Sequence, residues 1–275
     1  MMKLNRSLVA AVAATGMALG ASAHEMFLKS EGHILQPGPD QVVRLLNGTF
    51  DISENAITRD RMADVSIVAD GKVIKPPPSA WYDDESSSYL KYDGSAPGTY
   101  VIAVSTLPKV ITMSSEDFVK YLKHDGILDT LEKFEQGSKP ASVRERYSKH
   151  VRSIVQIGDK RTDDYRQVLG YPIEIIFDQN PYSLKFGKEL SFVVLHEGKP
   201  LANQLVYASY EGFHQHNEAG EHLNSIKLRT DADGRAKFLL SNKALWYISL
   251  VHMQKVDEKD VDYVSNWATA TFSVQ

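Results

Sequence analysis

The chain has 275 residues, with 35 acidic and 31 basic side chains, a formal net charge of −4 and no cysteine. A mildly acidic surface argues against nucleic acid and anionic lipid as partners, because both attract Lys and Arg. The absence of cysteine excludes disulfides and thiol catalysis, so a bound metal has to be held by nitrogen and oxygen.

The N-terminus has the layout of a secretory signal peptide. Lys3 and Arg6 precede a short apolar run over 8–20, and the small residues of 21–23 provide a cleavage site. The run is too short to span a bilayer, which takes about 20 residues, and no later stretch predicts membrane insertion. We therefore expect residues 1–23 to be removed and the mature chain to be periplasmic, to begin at His24 and to carry a net charge of −6.

The mature chain is predicted to be mostly β, with two β-sandwich domains of immunoglobulin- or fibronectin-like type. The first domain is expected over residues 24–112, because short apolar runs alternate there with Pro- and Gly-containing turns. Its predicted strands are Val42–Leu46, Val65–Ala69, Tyr89–Tyr92 and Thr99–Thr106.

A helical insertion is predicted between the two sandwiches, over residues 113–150. Ser114 and Asp117 resemble a capping box, and apolar residues follow at helical spacing. Gln136–Pro140 interrupts the pattern, and Val143–Lys149 is expected to form a further helical stretch whose charged residues pair in solvent.

The second sandwich is predicted over residues 151–275. The turn Thr230–Gly234 predicts a hairpin in preference to a calcium loop, because further acidic ligands are missing. The predicted strands are Val151–Ile157, Ile173–Phe177, Leu190–His196, Leu205–Tyr210, Ile226–Arg229, Ala236–Leu240, Trp246–His252 and Trp267–Val274.

Catalytic motifs are missing from the sequence. It contains no nucleophile elbow, no zinc-protease motif, no phosphate-binding glycine loop and no dinucleotide fingerprint. We therefore predict that the protein is not an enzyme.

The histidines are the candidate metal ligands. Cleavage would give His24 a free α-amine beside its imidazole, and the two nitrogens together can chelate Cu(II) or Ni(II). A histidine left at the new terminus by chance is the alternative interpretation.

A second group of histidines consists of His214, His216 and His222. His214 and His216 share one face of an extended segment, which suits two imidazoles meeting one ion, and His222 follows in the same polar stretch. The alternative is a solvated hairpin loop. His252 ends an apolar strand, where a hydrogen-bonded structural histidine is the common case. His33, His124, His150 and His196 are expected to be surface or packing residues.

Several segments resemble a known family, the periplasmic DUF4198 proteins, also called NikM-like nickel or cobalt uptake proteins. The mature start His24–Leu28 is similar to the family's opening. The resemblance continues through Phe118–Leu122, Asp125–Leu128, Arg144–Ser148, Gly170–Glu174, Asn180–Tyr182, Gly198–Leu201, Thr230–Gly234, Val251–Met253 and Trp267–Phe272. The resemblance implies an exported protein that delivers, senses or buffers metal, with a membrane transporter as its partner. His24 and His252 lie in matching segments.

The function expected from the sequence is binding of nickel, cobalt or copper for metal uptake or handling, with His24 as a ligand. His252 or the 214–222 segment would complete the coordination shell. The main alternative is a non-catalytic envelope interaction module, such as an accessory to an outer-membrane receptor. A third, weaker alternative is a copper oxidase with a terminal histidine brace.

Overall fold

The structure is a computed structural model that describes residues 25–213, 215–216, 222–223 and 225–275. For 215–216 and 222–223 it describes the backbone alone. The predicted signal peptide, His24 and His214 lie outside the described residues.

Strands dominate the described chain, as predicted, and two α-helices lie within residues 115–136. The helices are α1 (Ser115–His124) and α2 (Leu128–Gln136). The strands are β1 (Glu25–Ser30), β2 (Gly38–Gly48), β3 (Met62–Ala69), β4 (Lys72–Ile74), β5 (Trp81–Asp83), β6 (Ser88–Gly94), β7 (Gly98–Thr106), β8 (Lys109–Ser114), β9 (Ser142–Ile157), β10 (Ile173–Phe177), β11 (Glu189–His196), β12 (Lys199–Pro200), β13 (Leu205–Tyr210), β14 (Gln215–His216), β15 (His222–Leu223), β16 (Ile226–Arg229), β17 (Arg235–Leu239), β18 (Leu245–Glu258) and β19 (Val261–Ser273).

A nine-stranded sheet forms the centre of the described structure. Its order is β16-β13-β18-β19-β9-β7-β3-β4, with β8 also paired to β9. β19 and β9 run parallel, and the other pairs are antiparallel. The sheet therefore contains strands from both predicted sandwiches, 24–112 and 151–275, as well as β8 and β9 from around the predicted insertion.

Smaller sheets cover the two faces of the central sheet. Side chains alternate between the faces along each strand. On one face, Tyr100 and Ile102 of β7 pack with residues of the β1-β2-β6-β5 sheet, whereas Val101 and Ala103 pack on the other face with residues of β10, β11 and β17. The fold is thus a β-sandwich arrangement in which two cores share one central sheet.

The predicted helical insertion is correct for its first part. Ser114 caps α1, since its hydroxyl accepts the Asp117 N–H at 3.1 Å. Both helices bury aromatic residues, among them Phe118 and Phe134, against Tyr263 and Trp267 of β19. In the described part of the chain, neither helix has the length and apolarity that crossing a membrane requires.

The helical prediction for Val143–Lys149 is wrong, because this segment begins the long strand β9. Arg144 pairs with Asp262 and Arg146 with Glu258, as surface ion pairs. Glu145, between them, is fully buried. From sequence alone, a Glu residue is expected to face solvent. The Glu145 side chain is instead buried, so its residue type misled the prediction for this segment.

The hairpin predicted at Thr230–Gly234 is also wrong, although the turn itself is present. The Asp231 carboxylate accepts the N–H groups of Asp233 and Arg235, and Gly234 has a φ of +71°. The flanking strands do not pair, because β16 joins β13 in the central sheet and β17 joins β11 in the covering sheet. The turn therefore carries the chain from one layer to the next.

Candidate functional site

The histidines predicted as ligands are distributed over different parts of the chain. His24 and His214 lie outside the described residues. His216 and His222 stand directly opposite each other in the β14–β15 register, where Cα atoms are about 4.5–5.5 Å apart. His252 lies on β18, and its ring is described in full.

Gln204 orients the His252 ring. The Gln204 amide nitrogen donates to the carbonyls of Leu205 (2.9 Å) and Val251 (3.2 Å), so the amide oxygen faces the histidine. That oxygen lies 2.9 Å from His252 Nδ1. Because an amide oxygen can only accept, Nδ1 carries the hydrogen, and Nε2 therefore presents its lone pair.

His252 Nε2 is buried and has no hydrogen-bond partner among the described residues. Burial, assisted by the charge of His196, lowers the pKa of His252 from 6.5 to about 4, so the ring is neutral at pH 7. The centre of the His196 ring lies 4.5 Å from the centre of the His252 ring. His196 ends β11 in the covering sheet, so the pair links two layers of the fold.

His196 was expected to be a surface or packing residue, and its contact with His252 went unrecognised. The two histidines are 56 positions apart in the sequence. No local spacing relates them, because only the packing of two sheets brings β11 next to β18. A histidine that binds a metal through one ring nitrogen usually has its other ring nitrogen hydrogen-bonded to a neighbouring group. Gln204 provides that hydrogen bond to His252.

A cluster of charged side chains lies where β1 begins. Lys149 is buried and donates to the Asn47 amide oxygen at 3.1 Å. One carboxylate oxygen of Glu145 accepts the hydroxyls of Tyr121 (3.0 Å) and Ser265, whereas the other oxygen is buried and has no described partner.

Burial shifts the pKa values in this cluster in the direction that favours the uncharged form of each group. It raises the pKa of Glu25 and of Glu145 from 4.5 to about 7, and it lowers the pKa of Lys149 from 10.5 to about 8. Hydrogen bonds oppose the shift of both carboxyl groups, from Ser249 for Glu25 and from Ser265 and Tyr121 for Glu145.

The central sheet separates this cluster from His252. Ser249, which bonds the Glu25 carboxylate, lies three positions before His252 on β18, so the two side chains point to opposite faces. The charged groups that act on Glu25 are instead Asp125, Lys149 and His124. The structure thus brings His252 together with His196, and it brings Glu25, which follows His24 in the sequence, near His124.

The segment that contains His214, His216 and His222 is attached at another point of the sheet. It leaves β13 after Tyr210 and returns at the start of β16. Glu211 contacts Lys29 at 3.4 Å. Lys29 is four positions along β1 from Glu25, which corresponds to about 13 Å.

Within the described ranges, no group of three or more His, Asp or Glu residues is arranged to hold a metal ion. The described residues therefore offer at most two imidazoles, those of His196 and His252, as neighbouring ligands. The remaining predicted ligands lie outside the described atoms and stay predictions.

The motif Gly170–Glu174 has a structural role. The buried Glu174 carboxylate pairs with Arg152 at 2.5 Å and accepts the N–H groups of Leu169, Gly170 and Tyr171. Every polar contact of this carboxylate thus serves a turn or a buried ion pair. A buried pair of this kind stabilises the fold only while both partners are present.

One protein family is similar to this chain over most of its length. The family model described as "Domain of unknown function (DUF4198)" matches residues 21–254. The chain belongs to the DUF4198 family. No curated protein matches this DUF4198 chain.

Solved structures show only weak similarity to the DUF4198 protein. Trypsin-activated alpha-2-macroglobulin from Escherichia coli is 10% identical with a TM-score of 0.21, over 93% of this chain and 16% of that chain. Salmonella alpha-2-macroglobulin reacted with methylamine is 12% identical with a TM-score of 0.23, over 92% and 15%. The D00-D0 domain of Intimin is 11% identical with a TM-score of 0.19, over 90% and 98%. The chain spans about a sixth of the macroglobulins, and these similarities carry no functional argument.

Proposed function

We propose that this DUF4198 protein is an exported, non-catalytic protein that binds nickel, cobalt or copper for metal uptake or handling in the periplasm. The observation that carries the proposal is the state of His252. Its Nδ1 hydrogen is held by Gln204, while its Nε2 lone pair is buried, has no partner among the described residues and belongs to a ring adjacent to that of His196. An unpartnered buried nitrogen costs about 1–3 kcal/mol, and a bound metal would offset that cost.

The distance between the two rings fits a shared ion. Metal–nitrogen bonds are about 2.1 Å long, and about 1.1 Å more separates each nitrogen from its ring centre. Two imidazoles that bind one ion at a right angle therefore have ring centres about 4.5 Å apart. The observed separation between His196 and His252 is 4.5 Å.

The low pKa of His252 favours metal binding near neutral pH. A ligand imidazole has to be neutral, and a pKa of about 4 keeps protons from competing above about pH 5. Two protein nitrogens leave other coordination positions to water or to a donor on a partner. Such an open shell suits a protein that passes its metal on better than one that uses metal to fold.

We assign His24 to a second metal site in this proposal, on the basis of the neighbours of Glu25. Glu25 follows His24 directly, and Glu25 interacts with His124 and Asp125. We therefore propose His124, which is exposed at the end of α1, as the partner of a processed N-terminus. His252 would then act with His196 on the opposite face of the central sheet.

Titration of the untagged mature protein with Ni(II), Co(II) and Cu(II) tests the proposal. We expect His252→Ala and His196→Ala each to weaken binding at the histidine pair about thirtyfold, or about 2 kcal/mol. His33→Ala serves as the matched control, because the His33 ring packs at 5.6 Å from the Tyr182 ring, away from both histidines of the pair. Cu(II) spectra of protein with an extra Ala before His24, which disables the terminal site, should show the two imidazole nitrogens of the pair, and one should be lost in each variant.

An extra Ala placed before His24 separates the terminal site from the pair. Weaker binding in the extended protein and in His124→Ala, with the pair unaffected, would support a terminal site. Equal affinity in all variants would exclude metal binding by these histidines and favour the alternative function.

The alternative, an interaction module of the cell envelope, is favoured by one observation at the sheet edge. β4 is the last strand of the central sheet, and Val73 and Ile74 on it are 44% and 47% exposed. Exposed apolar residues on an edge strand suit pairing with a partner strand. Cross-linking in native envelopes with Val73→Lys as the variant tests this, since a lysine on the edge should abolish any cross-linked product.

A further inference from the structure

A row of four side chains crosses the outer face of the β1-β2-β6-β5 sheet. Lys29 is opposite Arg44, Arg44 is opposite Tyr89, and Tyr89 is opposite Tyr82 in the strand registers. Directly opposed residues share a face, so two cations and two aromatic rings form one line. None of these residues belongs to the proposed metal sites.

The two tyrosines form a rigid, accessible platform. Their rings are stacked, with centres 5.1 Å apart and planes inclined by 11°. The Tyr89 hydroxyl donates to Asp84 at 2.7 Å, which holds its ring in place. Tyr82 is 46% exposed, so one aromatic face is available to a ligand.

Arg44 presents an oriented guanidinium group beside this platform. Its Nε donates to the Ser87 hydroxyl at 2.9 Å, which fixes the plane of the group. Among the described residues, its two terminal nitrogens have no partner. Such a fork matches a carboxylate in bidentate geometry.

The row lines a broad groove with a volume of about 1050 Å³. Lys243, Leu245 and Gln275 from the end of the chain also line it. Acidic residues, among them Glu31 and Asp51, contribute to the same walls. The groove thus combines an aromatic platform, an oriented cation and hydrogen-bond acceptors.

We propose that this groove binds a short oligosaccharide that carries a carboxylate group. The flat face of a sugar ring would stack on Tyr82, and its carboxylate would bind the Arg44 fork. Sugar hydroxyls both donate and accept, so they suit walls that contain carboxylates and ammonium groups together. A nucleic acid fits less well, because its backbone needs several basic side chains in a line, whereas Arg44 is the one cation of this row whose terminal donors are unengaged by described residues.

The extent of the row agrees with a ligand of several sugar rings. Four strands are separated by three spacings of about 4.8 Å, which gives about 14 Å from Lys29 to Tyr82. The Lys29 ammonium group donates to the Phe50 carbonyl at 2.8 Å and pairs with Glu211. It therefore marks one end of the row. Arg44, in contrast, keeps its terminal donors for a ligand.

Calorimetric titration of the mature protein with trigalacturonate tests the inference, with maltotriose as the neutral analogue and adenosine monophosphate as the nucleotide probe. We expect trigalacturonate to bind at least about tenfold more tightly than either alternative. Tyr82→Ala should weaken binding about tenfold through loss of stacking. Arg44→Lys should weaken it by a similar factor, because lysine keeps the charge and loses the fork.

Two variants serve as matched controls. Phe186→Ala removes an exposed ring outside the groove lining, and Arg61→Lys changes an arginine on another strand connection. Both should bind trigalacturonate as the unaltered protein does, and all four variants should keep the affinity for Ni(II). Failure of trigalacturonate to bind at millimolar concentration, equal losses in the controls, or tighter binding of the nucleotide would overturn the inference.

Discussion

His150 and His252 lie on the same face of the central sheet, with β19 between the strands that carry them. Burial lowers the pKa of both rings from 6.5 to about 4. Their hydrogen bonds differ. His150 Nδ1 lies 2.9 Å from the Ser105 hydroxyl, and its Nε2 lies 3.0 Å from the Ser148 hydroxyl, whereas the described part of the chain gives His252 a partner at Nδ1 and none at Nε2.

The difference shows that a lowered pKa does not by itself identify a functional histidine. Both nitrogens of His150 take part in a polar network that also includes Asn266, so the ring is explained by the fold. The Nε2 atom of His252 has no such explanation among the described residues. The unpartnered nitrogen therefore distinguishes a candidate ligand from a structural residue with the same protonation state.

The largest expected effect is on stability. His150→Ala should lower the free energy of unfolding by about 2–4 kcal/mol, because it leaves a cavity and removes a partner from Ser105 and Ser148. His252→Ala should cost about 1 kcal/mol, since it also removes an unsatisfied nitrogen. Denaturant unfolding without metal measures both, and equal losses would contradict the distinction.

A smaller effect is expected on metal affinity when the orientation of His252 is lost. Gln204→Leu removes the acceptor at Nδ1 and should weaken Ni(II) binding about tenfold. Gln179→Leu is the matched control, because this half-buried glutamine beside β11 bonds Glu189 and Ser191 and not the histidine pair. Unchanged Ni(II) affinity in Gln204→Leu would mean that this hydrogen bond stabilises the end of the strand and does not orient a metal ligand.

A further effect is expected on the pH dependence of stability. Between pH 4 and 6.5 an unfolded histidine binds a proton that folded His150 and His252 do not, so their contribution to stability falls as the pH falls. Glu25 and Glu145 act oppositely between pH 4.5 and 7, because their raised pKa values make the folded state bind more protons.

The histidines and the glutamates change the free energy of unfolding with pH in opposite directions. Histidine variants therefore separate the two contributions, which the unaltered protein alone does not. His150→Asn and His252→Asn should each reduce the dependence of unfolding free energy on pH between 4 and 6.5, by at most one proton. Unfolding measured at half-unit pH intervals gives the slope. A variant slope equal to that of the unaltered protein would show that the substituted histidine is not held neutral.

The sequence predicted the local structure well wherever apolar alternation was strong. The strands of the first half, such as Thr99–Thr106, and the cap of α1 at Ser114 are confirmed. The prediction failed where burial contradicts residue type, as at Glu145 in β9. It also failed where a turn joins strands of different sheets, as at Thr230–Gly234.

The candidate site was predictable only in part. The sequence predicts His252 as a metal ligand, which stays a prediction, and it predicts His196 and His124, which is exposed, as surface or packing residues. Their neighbours come from other strands and a helix, and single-sequence spacing contains no information about contacts over such separations. The predicted roles of His24, His214, His216 and His222 stay predictions.

The sequence by itself determined the strands where apolar residues are marked off by turn residues, which family the chain resembles and which residue types could bind a metal. Those properties depend on alternation, turn residues and composition, and all of them act over a few positions. Only the tertiary structure decided that His252 meets His196 and that Lys29, Arg44, Tyr89 and Tyr82 form one row. These contacts depend on strand register and on the packing of one sheet against another, which bring together residues that are distant along the chain.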